Sequence, residues 1–126
     1  MTELPRFDRH FFQGESEISQ IGSGAIGGKA SGLVAARGIL DSGFPGRLYK
    51  SVRTYIPRLT VIASDCFDEF LALNNLKSFL ASEHTDDRIA HTFQQSSLPT
   101  ALLGDLRALA QEVHVPLALR SSSLLE

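Results

Sequence analysis

The chain of 126 residues has one cysteine, no tryptophan, one methionine and two tyrosines. A lone Cys66 cannot close an internal disulfide, which points to a reducing compartment. No run of about 18 apolar residues occurs, so no membrane-spanning helix is expected. The opening Met1-Thr2-Glu3-Leu4-Pro5-Arg6 lacks the apolar stretch of a signal peptide. Together these absences predict a cytoplasmic protein. There is also little net charge, only −2. Residues 1–63 hold eight Lys and Arg against five Asp and Glu, and residues 64–126 hold four against nine. Arg37, Arg47, Lys50, Arg53 and Arg58 make up most of the basic excess. A nucleic-acid surface carries more charge than this, with aromatics interleaved, so no nucleic-acid partner is expected. With 43% hydrophobic and 21% charged residues, the composition is that of a globular domain or part of one.

Residues 1–17 have no clear period and read as an irregular N-terminal arm, with residues 18–126 as the domain proper. Ile18 and Ile21 predict a short strand entering a glycine cluster. From Gly28 to Leu40 the pattern is helical, with Ala30, Leu33, Val34, Arg37 and Leu40 near one face. Asp41-Ser42-Gly43-Phe44-Pro45-Gly46 ends that helix, and residues 44–58 form a basic connector. Leu59-Thr60-Val61-Ile62-Ala63 is the clearest strand. Ser64 and Asp65 then stand as capping candidates for a helix that buries Phe67, Phe70 and Leu71 and ends near Asn74-Asn75. Leu76–Leu80 adds a turn or two. Thr85, followed by Asp86 and Asp87, predicts another helix start, with Ile89, Ala90 and Phe93 as its apolar stripe. Pro99 suits a first helical position. The helix after it carries Leu102, Leu103, Leu106, Leu109, Ala110 and Val113 at a 3.6-residue period. Val115–Leu119 reads as a buried strand delivering Arg120 to its carboxyl end. The whole predicts a mixed, helix-rich α/β fold with few strands.

The cluster Gly22-Ser23-Gly24-Ala25-Ile26-Gly27 satisfies G-x-G-x-x-G, and Asp41 lies at a tolerable distance for a ribose contact. The segment Gly14 to Gln20 is polar for a central parallel strand, which argues against a dinucleotide site. The P-loop pattern fails twice: Ser23 stands where its first glycine belongs, and Ala30 follows Lys29 where a hydroxyl belongs. A more general chemistry remains. Gly24, Gly27 and Gly28 shape a loop whose backbone N–H groups can approach an anion. The helix starting just after them favours negative charge, and Lys29 adds a mobile cation. The competing reading is a tight turn with a surface lysine.

The second motif is Pro116-Leu117-Ala118-Leu119-Arg120-Ser121-Ser122-Ser123. Arginine gives planar, bidentate phosphate recognition, and Ser121 with its neighbours supplies hydroxyl and backbone donors. Taken alone, an arginine paired to a carboxylate at a sheet edge and followed by a serine-rich tail accounts for it better. The order of the two motifs carries more weight: a glycine-rich Lys loop, then strand-Arg-Ser-Ser. The chain stops inside this second motif, which predicts that it is one piece of a larger phosphate-handling enzyme. His10, His84, His91 and His114 have no metal-ligand spacing.

On these residues the chain resembles the N-terminal ATP-binding domain of the pyruvate phosphate dikinase and phosphoenolpyruvate synthase family. Gly27-Gly28-Lys29-Ala30-Ser31-Gly32-Leu33 is similar to that family's first nucleotide loop. Ile56-Pro57-Arg58-Leu59-Thr60-Val61-Ile62, with Phe67 and Phe70, resembles its strand and phenylalanine-bearing helix. Leu98-Pro99 resembles the start of a later helix, and Leu119-Arg120-Ser121-Ser122 its Val-Arg-Ser-Ser element. The resemblance covers residues 20–126. It implies the N-terminal portion of an ATP-grasp-like nucleotide domain, in which Lys29 and Arg120 contact ATP phosphates. It also implies a phosphotransferase that moves the β-phosphoryl group of ATP, through a phosphohistidine on a separate domain, to pyruvate or a related acceptor in a third. Magnesium is then a cofactor, with its acidic ligands beyond Glu126. No catalytic residue and no carrier histidine is expected in residues 1–126, so the isolated chain should be inactive. The alternative is a stand-alone, non-catalytic nucleotide-binding or regulatory module. Apolar surface left uncovered in a partial domain makes self-association an expectation as well.

Overall fold

The computed structural model describes residues 4–8, 17–43 and 51–122. Strand β1 (Ile18–Ile21) leads through the glycine loop into helix α1 (Gly28–Asp41), and strand β2 (Leu59–Ile62) follows. Four helices complete the order: α2 (Ser64–Leu73), α3 (Leu76–Leu80), α4 (Asp86–Gln95) and α5 (Thr100–Glu112). About half of the described residues are helical, and the fold is mixed α/β.

The two strands pair in parallel, Ile18 with Leu59 through Ile21 with Ile62. A parallel pair requires a crossover, which α1 and the connector supply. Ile18, Ser19 and Ile21 are buried. Ser19, the one buried polar side chain among the described residues, shares a hydrogen bond of 3.1 Å with Thr60, its register partner. Polarity of the preceding segment therefore does not keep β1 out of a parallel sheet. The cost of burying Ser19 is met by a hydroxyl on the neighbouring strand. Part of the expected N-terminal arm lies along the other side of β1. Phe7 donates its N–H to Gln20 O at 2.8 Å, and Gln20 donates to Pro5 O at 3.0 Å.

The core lies on one sheet face and between the helices. Ile21, Cys66 and Leu102 pack together, with Phe7 and Leu106 against them. Phe70, Leu71 and Leu76 form a second cluster, joined by Phe79 and Phe93. The Phe70 and Phe93 rings stand 5.8 Å apart and tilted, a favourable aromatic arrangement. Asn74 ties α2 to the turn before α5. Its amide donates to Phe70 O and to Ser97 O, and its carbonyl accepts from Ser97 N, each at 2.9 Å. Pro99 occupies the cap position rather than the first helical one, and is fully buried. Among the described residues, no helix is long and apolar enough to cross a membrane.

Three expectations are corrected. Phe67 is exposed, and Cys66 takes its place in the core with Phe70 and Leu71. On α1 only Ala30 is buried, since Leu33 and Ile39 face outward. Arg37, counted on the apolar face, instead pairs with Glu17 beside β1 and with Asp41 on its own helix. Finally, Val115–Leu119 forms no strand: it follows α5 as an irregular segment with exposed side chains. Its alternating sequence suits a strand, but no neighbouring strand among the described residues hydrogen-bonds to it, and a lone strand has no partner for its backbone groups.

Candidate functional site

The glycine loop runs from the carboxyl end of β1 to the N-terminus of α1, and the turn between β2 and α2 holds it from below. Ser23 donates both its N–H (2.7 Å) and its hydroxyl (3.0 Å) to Asp65 Oδ2. Ala25 donates its N–H to Ser64 Oγ at 3.1 Å, and Ser64 N donates back to Ala25 O at 2.9 Å. Gln20 reaches over from β1 and donates to the carbonyls of Gly24 (3.1 Å) and Gly22 (3.5 Å). Ser64 and Asp65 therefore do not cap α2, whose N-cap is Ala63 without a side-chain bond. They cap the loop instead. Sequence reasoning read them as local capping residues because their partners lie about forty positions away, where no spacing rule reaches.

Three glycines of the loop are fixed by contact: Gly22, at φ +87°, where a Cβ would meet Asp65 Oδ1 and Cys66 Sγ, and also Gly24 and Gly27. A Cβ at Gly24 would stand 2.6 Å from Asp65 N and 2.7 Å from Ser64 Oγ. A Cβ at Gly27 would stand 2.5 Å from the carbonyl carbon and oxygen of Ser122, and closer still to its Oγ. Both distances are far inside ordinary contact. The loop thus needs glycine to press against β2–α2 on one side and against the Arg-Ser-Ser segment on the other.

That second contact joins the two motifs. Ala30 donates its N–H to Ser122 Oγ at 3.3 Å, across 92 positions of sequence. The first turn of α1 sends the N–H groups of Gly28, Lys29 and Ala30 out of the helix end, and Ser31 N makes the first intrahelical bond, to Gly27 O at 2.9 Å. Lys29 is the residue before Ala30, and Arg120 and Ser121 directly precede Ser122; all three are exposed. Chain geometry then keeps the Lys29 and Arg120 Cα atoms within roughly 15 Å of one another. Of the residues singled out in the sequence, Gly27 makes this contact, Gly28, Lys29, Arg120 and Ser121 lie within two positions of it along the chain, and Gly24 instead abuts Asp65 and Ser64 on the other side of the loop. Sequence reasoning passed over Ser122, counting it only as one donor among three.

The electrostatics centre on Asp65. The Ser23 N–H holds its carboxyl below the ordinary range; burial opposes this, while the Gly24 N–H, the Ser23 hydroxyl and the Cys66 N–H assist. Its negative charge is thus committed to fixing the loop. Burial pushes the neighbouring Cys66 thiol up, with Asp65, Glu69 and Asp105 adding to the shift.

The strand, glycine loop, helix and parallel strand also match the setting of a dinucleotide site, in which an acidic residue contacts the ribose. Asp41 does not serve there: it sits at the far end of α1, accepting from Arg37 Nε at 2.9 Å. Asp65, at the end of β2, is occupied by Ser23. Among the described residues no group of three or more His, Cys, Asp or Glu side chains gathers to hold a metal ion. The arrangement offers backbone N–H groups, two cations and serine hydroxyls, which suit phosphate oxygens. Scans against protein-family models, curated proteins and solved structures each returned no match.

Proposed function

We propose that this chain is the ATP-binding part of a dikinase-type phosphotransferase, with ATP phosphates held between the N-terminus of α1 and the Arg120-Ser121 segment. The observation that carries the reading is the contact of Ser122 with Gly27 and Ala30, which sets the Arg-Ser-Ser motif against the Lys loop. Lys29 and Arg120 neutralise and position the phosphates, and magnesium arrives with the nucleotide. Loose phosphoryl-transfer transition states need charge stabilisation and alignment more than covalent help. The phosphoryl group then passes to a histidine on a separate domain, and from it to pyruvate or a related acceptor.

The test is calorimetric titration of magnesium-ATP into the wild-type chain, Lys29→Ala and Arg120→Ala, with NAD as the control ligand. A hydrogen bond to a charged group contributes about 1.5–3 kcal/mol, so each variant should bind ATP at least about tenfold more weakly. Absence of binding to the wild type, unchanged affinity in both variants, or preference for NAD would overturn the reading.

A further inference from the structure

Among the described residues, the sheet has an open edge. Leu59 N donates to Glu17 O and Ala63 N to Ile21 O, each at 2.9 Å. In a parallel ladder alternate residues face the partner strand, so Leu59, Val61 and Ala63 face β1. Thr60 and Ile62 present their N–H and C=O groups on the opposite side. Among the described residues, β2 pairs with β1 alone. Such an edge is a template for another strand.

The same chain carries an unpaired segment with the matching pattern. Val115, Leu117 and Leu119 alternate with Pro116, Ala118 and Arg120, and are 69%, 54% and 92% exposed. In an extended segment these three share one face. Pairing through the N–H groups of Leu117 and Leu119 turns Pro116, which has no N–H, away from the ladder, as an edge strand requires.

Side-chain shape agrees with the backbone. Ile62 is 47% exposed and borders an apolar cleft of about 230 Å³, lined also by Cys66, Phe67, Phe70, Leu98 and Leu102. Ile62 pairs in register with Ile21, so its side chain shares the face that packs on Cys66 and Leu102. A strand added beside Ile62 lays its apolar row over that cleft.

We propose that two copies of this chain associate by strand addition, Val115–Leu119 of each pairing with the β2 edge of the other. The segment is tethered in its own chain at both ends, by Val113 N to Leu109 O at 3.0 Å and by Ala30 N to Ser122 Oγ at 3.3 Å. In that position it forms no ladder with its own β2. A two-fold exchange satisfies both edges and both segments with one set of contacts. The inference is independent of the nucleotide reading.

Sedimentation equilibrium of the full 126-residue chain, with hydrogen exchange read at Thr60, Ile62 and Val115–Leu119, tests it. The wild type should dimerise, with those amides gaining protection as concentration rises. The double variant Leu117→Lys, Leu119→Lys should raise the dimer Kd by at least about tenfold with its circular dichroism unchanged, both side chains being exposed in the single chain. Should the double variant unfold, Leu119→Lys alone provides the same comparison. A wild type that stays monomeric overturns the inference, as does a dimer indifferent to the lysines. Protection of 115–119 that does not change with concentration also overturns it, because the segment would then be paired within its own chain.

Discussion

Replacing Gly27 by alanine isolates the contact on which the candidate site depends. The backbone there, φ −71° and ψ 168°, is open to any residue, so alanine brings no torsional strain. What it brings is a Cβ 2.5 Å from the Ser122 carbonyl carbon and oxygen. Ordinary carbon contacts stand at about 3.5–4.0 Å, so Ser122 must retreat by about 1 Å or more. The Ala30 to Ser122 hydrogen bond, already 3.3 Å, does not survive that movement. Its loss costs about 1 kcal/mol. Glycine is preferred to alanine at an N-cap, which adds several tenths of a kcal/mol, while the stiffer unfolded chain returns about 0.4–1 kcal/mol. The net effect is about 1 kcal/mol, so the thermal midpoint falls by only a few degrees. The local effect is much larger, because this is the one hydrogen bond to the 113–122 segment from outside its own end of α5 among the described residues. Hydrogen exchange and tryptic cleavage at Arg120 should both accelerate severalfold in Gly27→Ala, with α2 and α5 unchanged. If cleavage at Arg120 and exchange in 113–122 match the wild type, the two motifs are not held together as described.

Two further outcomes follow from the packing and the charge of the loop. Asp65→Asn should lower stability by about 1 kcal/mol at neutral pH by weakening the bonds from Ser23. Because the folded carboxyl is held low, wild-type Asp65 contributes fully above its unfolded pKa of about 3.9, and the contribution fades as pH falls through the lower folded value. Urea midpoints of the two proteins should therefore converge below about pH 4; a gap unchanged down to strong acid would refute the assignment. Leu76→Ala, at a side chain only 1% exposed, should cost about 2–5 kcal/mol in urea denaturation at concentrations where the chain is monomeric, whereas Leu119→Ala should cost nearly nothing there; equal effects would remove Leu76 from the core.

Local pattern made much of the fold legible. Ile18 and Ile21 marked β1, a short β-branched run marked β2, and Gly28 opened α1 as expected. Asp86 and Asp87 fell in the first turn of α4, although Thr85 makes no side-chain cap there. What pattern could not supply was the identity of each element's neighbour. Ala30, Leu33, Val34, Arg37 and Leu40 were read as sharing one face of α1, yet a face is buried only where something packs on it: Ala30 is buried and Leu33 faces outward. Ser64 and Asp65 fit a local rule for helix starts, but the N–H groups of Ser23 and Ala25 sit nearer to hand in space. The glycines were read as space for a ligand. At Gly24 and Gly27, the atoms filling that space are Asp65, Ser64 and Ser122.

The Val115–Arg120 segment ties these strands of reasoning together. Its sequence is that of a strand, and its end at Ser122 is fixed against α1, so its direction is set even though its ladder is not. Paired with the β2 edge of a second copy, it would extend that copy's sheet on the side where Thr60 and Ile62 present their backbone groups, and would cover that copy's cleft beside Phe67 and Leu98. The same placement would stiffen the main chain that carries Arg120 toward Lys29. Pairing at the sheet edge and order in the main chain around Arg120 are therefore two consequences of one event. Conditions that protect the amides of Thr60 and Ile62 should also slow cleavage at Arg120, and a chain in which the two respond separately would show that the segment acts as two unconnected halves.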